Sequence, residues 1–147
     1  MIFGVQKIAK AVGEAGCYFL SLCKVAEDMG AGPCDVVSRA AECMSKGLLR
    51  PDCFVADPAG ILSLLGLESH EVVKAGDGHG LPLDYQLKDG EREILRFERP
   101  NPAGGDALAH FVVGSGDGKT VAWAPWPGSL TVAQGRLVSR RIIRRKE

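Results

Sequence analysis

The chain lacks an apolar run approaching the roughly 20 residues a membrane-crossing helix needs, and it lacks an excess of charge. Eighteen lysines and arginines face 18 aspartates and glutamates in 147 residues. The first absence speaks against a membrane partner, and the second removes global charge as a guide to any partner. A secretory leader is not expected either. Met1 to Gln6 is apolar, but Lys7 and Lys10 interrupt it too early; the cytoplasmic location expected here rests on the cysteines read as reduced thiols. There is no C-x-x-C pair. The five cysteines are spaced 6, 11, 9 and 10 residues apart, without the close ligand pairs of a structural zinc site. An odd number cannot all pair within one chain, so reduced thiols buried as small hydrophobes are expected. Internal repeats and low-complexity segments are also missing. What is present is an ordinary globular composition, 46% hydrophobic and 24% charged, at the length of one domain.

The first half of the sequence reads as helical. Residues 17–29 (CYFLSLCKVAEDM) place apolar side chains near helical spacing between Gly16 and Gly30, which predicts a first helix. Pro33 suits the first turn of a second helix, from Pro33 to Lys46, closed by Gly47. Asp57-Pro58 predicts an N-cap followed by proline at the first helical position, opening a third helix that stops at Gly66. The second half reads as strands: His70–Lys74, Glu93–Glu98, Ala109–Ser115, Lys119–Ala124 and Leu137–Ile143. Gly116-Asp117-Gly118 lies between two apolar runs and predicts a hairpin. Together these give an α+β fold in a single domain: a helical half over about residues 1–67, packed on a mostly antiparallel sheet over about 68–143, and a basic C-terminal tail. That tail holds Arg136, Arg140, Arg141, Arg144, Arg145 and Lys146 against Glu147 alone. It reads as a final strand with a solvated charged end, and a nucleic-acid partner is not expected.

Cys17 stands at the first turn of the first predicted helix. Unpaired backbone N–H groups and the positive end of the helix dipole favour thiolate there, and thiolate is the reactive form. Its bland alternative is a buried, inert cysteine, the role assigned to Cys23, Cys34, Cys43 and Cys53. The preceding small residues, Gly13 to Gly16, leave room for a substrate backbone. His110 begins an apolar strand leading to the hairpin. In its neutral form it can take a proton from a thiol, and its bland alternative is an edge histidine. His70 has no recognisable companion, and His79 reads as a solvated histidine in a glycine-rich loop.

Gly16-Cys17-Tyr18-Phe19 at a helix start, Ala109-His110-Phe111-Val112-Val113 on a later strand, and Val121-Ala122-Trp123-Ala124-Pro125-Trp126-Pro127-Gly128-Ser129 after it resemble the papain-like cysteine peptidase superfamily. The last string is similar to its bacteriocin-leader-processing branch, where the motif reads roughly V-x-x-D-P-W-x-G, and small relatives of this type occur in phages and prophages. The resemblance spans about residues 17–129. It implies a papain-like fold and a thiol protease or amidase that hydrolyses a peptide or protein substrate, with Cys17 as nucleophile and His110 as base. It implies no cofactor and no metal.

Two departures stand against that pattern. The third catalytic residue, an acid or amide that orients the histidine, falls at position 124, where this chain has alanine. Asp117, Asp106 or a backbone carbonyl are the available substitutes. The oxyanion-hole glutamine belongs about six residues before the nucleophile, at Ala11, and Gln6 can serve only if the intervening segment loops out. The alternative function is therefore a papain-like scaffold, impaired in turnover, that acts as a binding or structural phage protein. Trp123 and Trp126 either wall a substrate groove or pack a strand end. The sequence leaves the oligomeric state open.

Overall fold

The computed structural model describes residues 2–78 and 80–147, with the side chains of 2 and 3 excepted. Met1 and His79 lie outside the described residues, and with them the reading of His79 as a solvated loop histidine. The chain divides into two compact units. One runs up to Glu71 and takes in Lys146; the other holds Val72–Arg145 and Glu147.

In the first unit the helices are α1 (Ile2–Ala15), α2 (Cys17–Ala26), α3 (Val36–Ser45) and α4 (Pro58–Leu64). Phe19, Leu22, Cys23 and Ala26 recur at intervals of three and four on α2 and are buried, which turns one stripe of the helix into the core. α2 packs against α1 and α4, and α3 packs against α1. Ala40, Cys43, Leu49, Ile61 and Leu62 complete this core. The third predicted helix begins as expected: the Asp57 carboxylate accepts the Gly60 N–H at 2.9 Å, and Pro58 follows it. The second begins three residues later than expected. Asp35 is its N-cap, accepting the Ser38 N–H at 3.3 Å, so Pro33 lies in the approach rather than the first turn. The first predicted helix is regular only to Ala26. It then widens into a π turn over Glu27–Ala31, where Gly30 takes φ 97°. α1 was legible in the sequence only as part of a generally helical first half.

β1 (His70–Ala75), β2 (Arg92–Arg99), β3 (Leu108–Gly114), β4 (Val121–Trp123) and β5 (Arg136–Arg145) form one sheet in the order β1-β5-β2-β3-β4, which from Val72 onward belongs to the second unit. β2 runs antiparallel to both β3 and β5, and β3 to β4. The α+β class is thus as expected. The side-chain period of two sends Glu93, Leu95 and Phe97 to one face of β2. Leu95, Phe97 and Val112 form an apolar cluster there, against which Ala124, Val132 and Leu137 pack. A short helix not foreseen from the sequence, α5 (Leu130–Gln134), lies against β2, β3 and β5. The fourth strand is shorter than expected because Asp117 accepts the N–H groups of Lys119 and Thr120 and thereby keeps both in the turn. The basic end of the chain is not a wholly solvated tail. β5 carries it to Arg145, and Arg140 is among the most completely buried side chains of the protein.

Candidate functional site

Cys17 is the first residue of α2 and is half-buried. Gly16 alone separates α1 from α2, and its N–H donates to the Val12 carbonyl at 2.9 Å. A Cβ at position 16 would stand 2.5 Å from that same oxygen. Glycine before Cys17 is thus required by the packing of two consecutive helices, a local cause that the substrate-room reading did not include. Beside Cys17 lies Cys53, held at φ 66° in a turn where its N–H donates to Arg50 O at 2.8 Å. Burial raises the Cys53 pKa, helped by Asp52 and by Cys17 itself. No disulfide links the five cysteines.

His110 stands in the middle of β3, opposite Phe97, rather than at the strand's first residue. It is 4% exposed, its ring centroid lies 5.2 Å from that of Trp126, and burial lowers its pKa from the ordinary imidazole value. Its Nε2 is buried and has no hydrogen-bond partner among the described residues. A buried polar atom left unpaired is costly and uncommon, of order 1–3 kcal/mol. Trp126 is therefore the aromatic that packs on the candidate base.

The other sequence candidates fall as follows. Ala124 packs into the apolar cluster of Leu95, Phe97 and Val112. Asp117 is committed to the β3–β4 turn: it accepts Lys119 N–H at 2.9 Å and Thr120 N–H at 2.7 Å, with the Thr120 hydroxyl as a further donor. Those bonds hold its carboxyl well below the usual carboxylate range, and they remove it as a substitute for the missing third residue. Asp106 is exposed. Gln6 is exposed on α1, which runs unbroken to Ala15. Nine residues of helical rise, about 14 Å, separate it from Ala15 at the end of that helix, and the loop that would bring it closer to Cys17 does not form. His70 uses its Nδ1 on the Glu68 carbonyl at 2.8 Å.

Sequence reasoning missed a charged network in the second unit. Glu93 and Arg140 are each 1% exposed. Glu93 Oε1 accepts from Arg140 Nε at 2.9 Å and Nη2 at 2.6 Å, while its Oε2 accepts the N–H groups of Gly116 at 2.7 Å and Gly118 at 3.0 Å. Arg140 Nη1 donates to the carbonyls of Leu83 at 2.9 Å and Tyr85 at 2.6 Å. One ion pair thereby fixes both the 83–87 segment and the β3–β4 turn, the two walls of an open groove of about 770 Å³. A signal for it was available, since the strand period places Glu93 on the same face as Leu95 and Phe97. Among the described residues no group of three or more His, Cys, Asp or Glu is arranged to hold a metal ion, and no helix is long and apolar enough to cross a membrane.

Residues 5–145 match the family described as "Protein of unknown function, DUF261", and the chain belongs to that family. No curated protein and no solved structure matches it.

Proposed function

Starting from a family that brings no activity with it, we propose that this protein is a papain-like cysteine hydrolase that cleaves an amide bond in a peptide or protein. Cys17 is the nucleophile and His110 the base. In the papain-like pattern that the chain resembles, the cysteine sulfur gives its proton to the imidazole and adds to the amide carbonyl carbon. The C–N bond then breaks as that proton goes to the departing amine, and water hydrolyses the thioester. The same pattern assigns the oxyanion to the backbone N–H of the nucleophile, Cys17, with no part for Gln6.

One observation carries this function: the buried, unpartnered Nε2 of His110. An imidazole whose pKa is lowered by burial stays neutral near pH 7, the form a general base must take. In place of an acid at position 124, the Trp126 ring restrains the imidazole. The apolar packing of Ala124 favours a second reading, a scaffold of the same ancestry that binds peptide without turning it over. A cytoplasmic, phage or prophage setting belongs to the resemblance alone.

Competitive labelling of the full chain with iodoacetamide at neutral pH tests the proposal. Cys17 is expected to react on the order of tenfold faster than any of the other four thiols, and His110→Ala is expected to slow it. Slow, equal labelling of all five cysteines would overturn the hydrolase, and fast labelling indifferent to His110 would favour the scaffold.

A further inference from the structure

Three of the four cysteines left out of that chemistry converge within the first unit. Cys23 comes from α2, Cys34 from the segment before α3, and Cys43 from α3. Cys23 and Cys34 lie close enough to interact with each other, and Cys43 with both. Cys23 and Cys34 also line one cavity of about 20 Å³, with Ala26, Gly32, Arg39 and Leu65 among its walls. That volume admits a single molecule of about the size of water.

We propose that Cys34 is a site of oxidation by hydrogen peroxide and that Cys23 resolves it into a Cys23–Cys34 disulfide. Accessibility sets the order of events. Cys34 is half-buried, whereas Cys23 and Cys43 are buried. The Cys34 sulfur attacks one peroxide oxygen, the O–O bond breaks, and the departing hydroxide takes the thiol proton and leaves as water. The product at Cys34 is a sulfenic acid. The Cys23 sulfur then attacks the Cys34 sulfur, the S–O bond breaks, and hydroxide leaves with the Cys23 proton as a second water. Two thiols and one peroxide become one disulfide and two waters.

Three features suit this chemistry. Arg39 is among the residues that line the cavity where hydroxide departs, its guanidinium paired with Glu42 at 2.9 Å. The segment between the two cysteines contains Gly30 at φ 97° and Gly32 at φ 84°, positions that let the chain adjust as the sulfurs close to bonding distance. Cys43 is the bystander: it is buried and does not line the cavity that Cys23 and Cys34 share.

Trypsin cutting after Lys24 and Arg39 separates the partners, placing Cys23 in peptide 11–24, Cys34 in 25–39 and Cys43 in 40–46. The intact protein treated with hydrogen peroxide and digested without reductant should yield 11–24 linked to 25–39. The link should persist in Cys17→Ser, which shares the first peptide, and vanish in Cys23→Ser, where dimedone should instead trap Cys34 sulfenic acid. Cys34→Ser, at the half-buried position, guards against a folding defect in the Cys23 variant and should leave Cys23 unlinked. A bulky organic hydroperoxide should oxidise Cys34 on the order of tenfold more slowly than hydrogen peroxide, because the cavity admits only a water-sized molecule. A link from Cys34 to Cys43 or Cys17, or thiols that remain reduced under peroxide, would overturn the assignment.

Discussion

Replacing Arg140 with methionine removes every positive group facing the buried carboxylate of Glu93. Both residues are 1% exposed, so solvent cannot take over as partner. Glu93 would keep only the N–H groups of Gly116 and Gly118, and the carbonyls of Leu83 and Tyr85 would lose their donor. Breaking one side of a buried pair costs about 3–5 kcal/mol. At a urea slope of roughly 2 kcal/mol per molar, the denaturation midpoint should fall by about 2 M, with a drop in Tm on the order of 10 °C. Glu93→Leu combined with Arg140→Met removes both charges and substitutes apolar volume, so the double variant should be no less stable than Arg140→Met alone. Urea melts followed by circular dichroism give both numbers. Arg140→Met within about 0.5 kcal/mol of the parent, or a double variant that costs the sum of the two singles, would refute the claim that the two charges fix the walls of the groove.

Two further outcomes are expected. The His110 ring should titrate below the ordinary imidazole value of about 6.5 when followed by NMR. Because its folded pKa is lowered, the stability tied to its neutral form is present above that ordinary value and is lost as pH falls through the folded pKa, a dependence that His110→Leu should abolish. Gly16→Ala should lower stability by about 1–3 kcal/mol in denaturant melts, since its Cβ would meet the Val12 carbonyl oxygen at 2.5 Å; a neutral result would show that the α1–α2 junction relaxes freely.

Local chemistry made some elements readable from the sequence. Asp57 followed by Pro58 opens α4 where an N-cap and a proline belong, and apolar runs punctuated by glycine gave the order of the five strands. Boundaries failed where a side chain intervened. Asp35, not Pro33, caps α3, and Asp117 shortens β4 by holding Lys119 and Thr120 in the turn. The role of Arg140 was hidden because its partner lies 47 residues away, and one-dimensional patterning of RLVSRRIIRR reads as a charged end. At the candidate site, the place of Cys17 at a helix start was readable from sequence, whereas His110 was assigned to the right strand but too near its start. The solitary Nε2 of His110 and the apolar setting of Ala124 were not readable, because both depend on which neighbours the sheet supplies.

The contact between the His110 and Trp126 rings gives the molecule its own optical probe. An indole beside an imidazole emits less light once that imidazole gains a proton, so Trp126 fluorescence reports the charge state of the buried base without any added label. Substituting Trp123, the other tryptophan of the chain, would leave a single emitter, and the proton occupancy of His110 could then be followed in real time while a peptide is added.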